Sequence, residues 1–391
     1  MDDWKKYAFE EISLSSLIGL VRSTKEQSPS NEFNYLKMNN ITNDGDLDLS
    51  VLVRVNATSN EFEKYKLSKG DFLFNTRNSL ELVGKTAVVN SDDEMLFNNN
   101  ILRVRFKKDI DSKFINYQFQ TSLFKKKLEK IKSGTTNVAA IYYKSLKNIE
   151  VVAPSIEEQK QITSKLDELF EKINNAIAVL EENLKHSQAL INSILDEEFG
   201  KLETKYEKLP LANIVTVING RAYKQVEMLN SGKYPILRVG NFFSNRGWYY
   251  SDMELDESKY CEKGDLLYAW SASFGPKIWD GEKSIYHYHI WKLVPTSDKV
   301  SQKFMYYLLE RDTDKIKEEG GRGVGMIHIT KGDIEKRLMV FPPLDVQEEV
   351  VSSIEKFYHI HEQMTKELKL KLENMKALKS SLLDQAFKGE L

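Results

Sequence analysis

Two stretches of this 391-residue chain carry the same heptad pattern 188 residues apart, and that duplication limits the possible folds more than any other feature. In the first, alternating steps of four and three run through Ile162, Leu166, Leu169, Ile173, Ala176, Leu180, Asn183, Ser187, Leu190 and Ile194. In the second they run through Val350, Ile354, Phe357, His361, Met364, Leu368, Lys371, Met375, Leu378 and Leu382. Neither seam contains Pro or Gly, and the positions between are rich in Glu, Lys, Asn and Gln, so each stretch predicts a long helix with one buried stripe.

The flanks repeat as well. Val152-Ala153-Pro154-Ser155-Ile156-Glu157-Glu158-Gln159 corresponds to Val340-Phe341-Pro342-Pro343-Leu344-Asp345-Val346-Gln347, and the exit Ile194–Phe199 corresponds to Leu382–Phe387. Proline ends a strand ladder there, and the acids that follow favour a helix N-terminus. Ahead of each helix lies a globular stretch. Lys69-Gly70-Asp71-Phe72-Leu73-Phe74 echoes Lys263-Gly264-Asp265-Leu266-Leu267-Tyr268, a Gly-Asp turn before an apolar strand, and Leu36–Ile41 echoes Leu237–Phe242.

The expected fold is α+β. Two strand-rich mixed α/β globular domains, 1–153 and 206–343, are separated by two long helices, 154–205 and 344–391, in an internal repeat with approximate two-fold symmetry. If the two seams bury each other, the simplest packing is an antiparallel coiled coil, a spacer about 65 Å long at ~1.5 Å per residue. The polar seam positions Asn183, Ser187, His361 and Lys371 then fix register, face partner helices, or are solvated.

Several function classes are disfavoured. No stretch approaches the ~18 apolar residues of a membrane span, and no apolar segment follows the acidic N-terminus as in a secretory signal, so a cytoplasmic protein with no membrane role is expected. The single Cys261 forms no intrachain disulfide, and no Cys/His cluster has the spacing of a zinc site; of the pairs His287/His289 and His359/His361, the first would place both rings on one face at strand spacing, yet no nearby carboxylate completes a site, so no metal is expected. Net charge is −2, but the globular segments carry small basic excesses, +3 and +2, while the helical segments carry −5 and −2. A modest nucleic-acid footprint on the globular parts is compatible with that distribution.

A globular domain ending in a strand, then Pro-x-hydrophobic-Glu-Glu-Gln and a long helix, repeated with a Pro-Pro-Leu-x-x-Gln variant, resembles the specificity (HsdS-type) subunits of Type I restriction-modification enzymes. The resemblance covers essentially the whole chain. It implies that each globular part is a target-recognition domain reading one half of a split, asymmetric site in double-stranded DNA. It implies that the helices set the unread gap and dock two methyltransferase subunits and, through them, the restriction subunits. Modification in such systems is usually N6-methylation of adenine by the partner. Accordingly this chain contains no Asn/Asp-Pro-Pro-Tyr/Phe methyltransferase motif, since Phe341-Pro342-Pro343-Leu344 lacks both its ends, and no Gly-x-x-x-x-Gly-Lys-Ser/Thr loop. No catalytic residue and no cofactor are expected here; S-adenosylmethionine, ATP and Mg are expected in partner subunits. The competing readings are an enzyme, a fused DNA methyltransferase or nuclease that the missing motifs disfavour, and a coiled-coil scaffold that does not bind DNA.

Bases are read by Arg, Asn and Gln, and phosphates are held by Lys, Arg, hydroxyls and loop amides. The candidate contacts are therefore Lys132, Gly134, Thr135, Thr136, Asn137 and Lys144, together with Asn75, Arg77, Asn78 and Ser79, in the first domain. In the second they are Arg238, Asn241, Ser271, Ser273, and Arg322, Gly323 and His328 in the glycine-rich stretch 320–328. Tyr286-His287-Tyr288-His289 supplies further polar groups, Trp279 and Trp291 read as core, and Lys125-Lys126-Lys127 reads as a solvated helix face.

Overall fold

The central strand of each globular segment opens with an unbroken apolar run, Phe72–Phe74 or Leu266–Trp270, so it needs cover on both faces. The computed structural model describes residues 4–135, 138–244, 247–271, 273–320 and 329–391. It divides into two units, 1–181 with 370–391, and 182–369, and each long helix contributes residues to both.

In the first unit, Phe72–Asn75 lies inside a four-stranded sheet ordered Ser13–Ile18, Ile101–Phe106, Phe72–Asn75, Thr86–Val88, all pairs antiparallel. Side chains alternate across a strand. Phe72 and Phe74 therefore enter a core with Phe9, Phe114 and Phe119, while Leu73 enters another with Leu36, Ala87 and Phe97. A smaller sheet, Val53–Val55, Phe33–Leu36, Met95–Phe97, contains one parallel pair, and Lys5–Ala8 pairs with Glu150–Ala153.

The second unit repeats this plan. Its four-stranded antiparallel sheet is ordered Val215–Asn219, Ile290–Pro295, Leu266–Ser271, Ser273–Ile278. Leu266 and Tyr268 face one core, and Leu267 and Ala269 face the other. The smaller sheet is ordered Tyr249–Ser251, Tyr234–Leu237, Ser284–Tyr286, Tyr260–Cys261, again with one parallel pair, and Lys208–Pro210 pairs with Leu338–Val340. The Gly-Asp turns match too. Gly70 and Gly264 have φ of 89° and 100°, the left-handed region that glycine enters without penalty. Asp71 pairs with Arg105 at 2.6 Å and Asp265 with Lys292 at 2.7 Å, each tying the turn to the next strand. Trp279 and Trp291 are core, and Lys125 and Lys126 are exposed on the helix Ser122–Glu129.

The helices Ile156–Glu203 and Leu344–Ala386 pair antiparallel within each unit. In the first unit Asn174 receives a hydrogen bond from Lys379 at 3.1 Å, and Glu181 faces Lys376 at 3.9 Å. In the second, Ser187 Oγ and His361 Nδ1 lie 2.7 Å apart.

One expectation is corrected. Every second seam position is displaced by one residue, identically in both helices. Burial follows Leu166, Phe170, Ile173, Ile177, Leu180, Leu184, Ser187 and Ile191 rather than Leu169, Ala176, Asn183 and Leu190. In the second helix Tyr358, Thr365, Leu372 and Lys379 replace Phe357, Met364, Lys371 and Leu378. Leu190 is 55% exposed and its neighbour Ile191 3%. The cause is packing against the unit's own domain helix, Ser112–Gln120 or Gln302–Gly320, as well as against the partner helix: Phe170 stacks edge-on Tyr117 at 5.5 Å, and Tyr358 meets Tyr307 at 4.9 Å. Asn183 and Lys371 are thereby exposed, whereas Ser187 and His361 remain on the seam. Among the described residues, no helix is long and apolar enough to cross a membrane.

Candidate nucleic-acid interface

In the first unit the structure joins the two candidate loops into one element. Ser133–Gly134, Ala139–Ala140 and Arg77–Asn78 form a small antiparallel sheet. Gly134 has φ of 132°, and a Cβ there would lie 2.3 Å from the Val138 carbonyl, so only glycine closes this hairpin. Thr135 N donates to Val138 O at 2.9 Å. Thr136 and Asn137 lie outside the described residues.

Arg77 and Lys144 are exposed, and neither has a side-chain partner among the described residues. Both cations are free to meet an anion. Asn78 Oδ1 accepts from Ser79 N at 2.9 Å, and the Ser79 carbonyl accepts from Leu82 and Val83, so this pair shapes the turn after Arg77. Asn75 is fully buried; its Oδ1 accepts from Arg77 N at 3.2 Å, so any influence on a ligand passes through Arg77. Lys132 is similarly engaged. Its side chain is 8% exposed, held by Glu129 and by the Leu80 carbonyl.

Next to Arg77 is a corner that the candidate residues omitted. Asn98-Asn99-Asn100 carries the chain from the smaller sheet into the larger one, and Thr76 N donates to Asn100 O at 2.8 Å. Asn98 Oδ1 accepts from Asn100 N at 3.0 Å and fixes the turn. Asn99 is half-buried and has no side-chain partner among the described residues. Three consecutive asparagines ahead of an apolar strand were the available signal.

In the second unit, His287-Tyr288-His289 forms the same corner. Trp270 N donates to His289 O at 3.1 Å, and His287 Nδ1 accepts from His289 N at 3.4 Å. Burial first, then His289 and Arg238, push the His287 imidazole down to about 4. The ring is therefore neutral near pH 7, as an accepting Nδ1 requires. Trp270 Nε1 donates to Tyr288 O at 2.8 Å, and the Trp270 and His289 rings meet edge-on at 5.1 Å. Arg238 is exposed and lies over the Tyr249 ring at 5.4 Å; Asn241 donates to Gly247 O at 3.3 Å. Ser271 is buried in the tip of the strand pair Leu266–Ser271 and Ser273–Ile278, where it stands opposite Ser273. Arg322, Gly323 and His328 lie outside the described residues. The Cys261 thiol is buried and pushed up to about 12, so it is no nucleophile at neutral pH. Among the described residues, no group of three or more His, Cys, Asp or Glu is placed to hold a metal.

These two units carry equivalent frames with different exposed groups, and sequence comparison supplies the family. The profile of the Type I restriction modification DNA specificity domain matches residues 1–182 and 203–374, one copy for each half of the repeat. The chain belongs to this family. It is 27% identical to the Type I restriction enzyme EcoKI specificity subunit of Escherichia coli K12, over 97% of this chain and 88% of that protein. It is 25% identical to the StySPI specificity subunit of Salmonella potsdam, with the same two coverages, 97% and 88%. It is 26% identical to a putative MjaX specificity subunit of Methanocaldococcus jannaschii, over 80% of this chain and 77% of that one. Among solved structures, a chain from a type I R-M system, described in terms of complex assembly and conformational transition, superposes with a TM-score of 0.76 at 18% identity. That superposition covers 100% of this chain and 99% of the other. The HsdS subunit of Thermoanaerobacter tengcongensis gives 0.50 at 18% identity, covering 100% and 98%. These likenesses in structure concern the fold.

Proposed function

We propose that the chain is the DNA sequence-specificity subunit of a Type I restriction-modification complex, reading one half of a split, asymmetric site with each globular segment. The observation that carries this reading is the duplicated frame, in which corresponding backbone is held by corresponding hydrogen bonds while the side chains at the rim differ. A protein that reads two unlike half-sites needs that combination, because bonds to base edges specify and the frame only positions them.

The chain is a non-catalytic partner in this reading. Methyl transfer and cleavage, with S-adenosylmethionine, ATP and Mg, belong to two methyltransferase subunits and the restriction subunits that join through them. The shifted seam supports the docking role. Leu190, Phe357, Met364 and Leu378, displaced from the seam, are 55%, 43%, 37% and 42% exposed and leave apolar surface for partner helices.

The test is to co-express the chain with its methyltransferase subunit and map methylated adenines across a genome by single-molecule sequencing. A single split motif that disappears without this chain is expected; no motif from a stably bound, active methyltransferase would instead favour a scaffold. The helices as spacer give a second prediction. Inserting one heptad into each helix adds ~10 Å at ~1.5 Å per residue. The unread gap should widen by about three base pairs at ~3.4 Å each, and an unchanged gap in the mapped motif would refute the spacer.

A further inference from the structure

The two corners correspond bond for bond. Gly19 N reaches Ile101 O at 3.1 Å, and Gly220 N reaches Ile290 O at 3.2 Å. Leu20 N reaches Phe97 O at 2.8 Å, and Arg221 N reaches Tyr286 O at 3.0 Å. Asn98 N reaches Leu36 O at 3.0 Å, and His287 N reaches Leu237 O at 2.9 Å. Ile101 N closes on Asn98 O at 3.0 Å, and Ile290 N closes on His287 O at 2.9 Å. A side-chain acceptor on the first residue then fixes the third residue's N–H in both units.

Almost every main-chain group of the corner is thus committed, and the bonds involve neighbouring strands rather than mobile loops. What differs is the presented chemistry. The first unit offers Asn99 and Asn100, flanked by Arg77 on the adjacent strand and by Lys37 after Leu36; the second offers Tyr288 and His289, flanked by Arg238 after Leu237. Asn99 is the unpartnered amide among the described residues here, since Asn98 holds the turn and Asn100 Nδ2 contacts Met38 Sδ at 3.8 Å.

We propose that these corners are base-reading elements, with Asn99 and Tyr288 the residues that select a base pair in the two half-sites. This rests on the specificity-subunit reading above. A carboxamide on a rigid corner, with the exposed Arg77 on the adjacent strand, matches the bidentate donor and acceptor pair of adenine N7 and N6, while Arg77 holds a flanking phosphate. Tyr288, 39% exposed between two imidazoles, presents a hydroxyl and a ring edge at the same place. The second half-site is therefore read by different chemistry through the same frame.

The experiment uses the assembled methyltransferase complex carrying Asn99→Ala or Tyr288→Ala, with methylation measured genome-wide at the motif and at every single-base variant of it. Thermal melting of each variant accompanies the mapping. Asn99→Ala should raise methylation of sites mismatched at one base pair of one half-site about tenfold or more relative to the intact motif, leaving the other half unchanged. Tyr288→Ala should relax one position in the opposite half. Folded variants with the wild-type preference at every position would overturn the proposal, as would a uniform loss across all sequences, which marks a phosphate contact. A wild-type complex that methylates without any split motif would overturn the specificity reading itself, and the corner proposal with it.

Discussion

Gly19→Ala should unfold or severely destabilise the first unit, by more than about 3 kcal/mol, and Gly220→Ala should do the same to the second. A Cβ on Gly19 would lie 2.3 Å from the Asn98 carbonyl oxygen and 2.4 Å from that of Phe97; on Gly220 it would lie 2.4 Å from His287 O and 2.5 Å from Tyr286 O. The obstacles are main chain, so no rotamer change relieves them. Separating the strands would sacrifice the bonds from Gly19 to Ile101 and from Leu20 to Phe97, and would leave buried carbonyls unmet. The comparison is Gly200→Ala, near the C-terminal end of the first long helix, where an added Cβ meets nothing within 4 Å. That change should be neutral or stabilising by up to ~1 kcal/mol, because alanine loses less backbone entropy in a helix. Denaturant melts of the three variants, read for midpoint at constant slope, separate these cases; a Gly19→Ala protein as stable as wild type would refute the steric argument.

The duplication was readable because its strongest signals are local. Pro154 and Pro342, the Gly-Asp turns and the long heptads each announce themselves within a few residues. The exact burial phase of the helices was not, because apolar residues occupy adjacent positions: Leu169 beside Phe170, Ala176 beside Ile177, Leu190 beside Ile191. Either set completes a heptad, and tertiary partners choose between them, here Tyr117 for Phe170 and Tyr307 for Tyr358. The candidate interface was legible in part for the same reason. Composition marked Arg77 and the Ser133–Gly134 hairpin separately, but their pairing through Ala139–Ala140 is a contact across some sixty residues of chain that no local pattern encodes. Asn75 and Lys132 looked like surface donors by residue type, and only the fold reveals that one lies under the turn and the other is held by Glu129 and Leu80. The Asn98–Asn100 corner stands out once Gly19 and Gly220 are seen to press against equivalent carbonyls.

The glutamine that ends each helix-start signature has a physical role that the signature alone conceals, and removing it should be as damaging as the glycine changes. Gln347 is fully buried; its Nε2 donates to Lys299 O at 3.0 Å and to Pro342 O at 2.8 Å, and its Oε1 accepts from Ser301 N at 2.9 Å. Gln159 makes the same three bonds, to Asp109 O at 3.0 Å, Pro154 O at 2.9 Å and Asp111 N at 2.8 Å. In both units, then, one amide joins the first turn of the long helix to the cap of a domain helix, Ser112–Gln120 or Gln302–Gly320. Leucine has the size but none of the polar atoms, so Gln347→Leu leaves the buried Pro342 carbonyl and the partly buried Lys299 carbonyl and Ser301 N–H without this partner. At about 1–3 kcal/mol for each unmet group, partly relieved by water, the loss should be on the order of 3–5 kcal/mol. Gln347→Glu separates lost bonding from lost volume. A carboxylate can still accept from Ser301 but repels both carbonyls and is penalised by burial, so the folded state favours the protonated form. More protons are then bound in the folded than in the unfolded state, so this variant's stability should fall as pH rises from 5 to 8. Gln347→Leu should show no such added fall relative to wild type. If both variants melt with the wild-type protein at each pH, the bonds at the helix start contribute nothing, and the repeated glutamine needs another explanation.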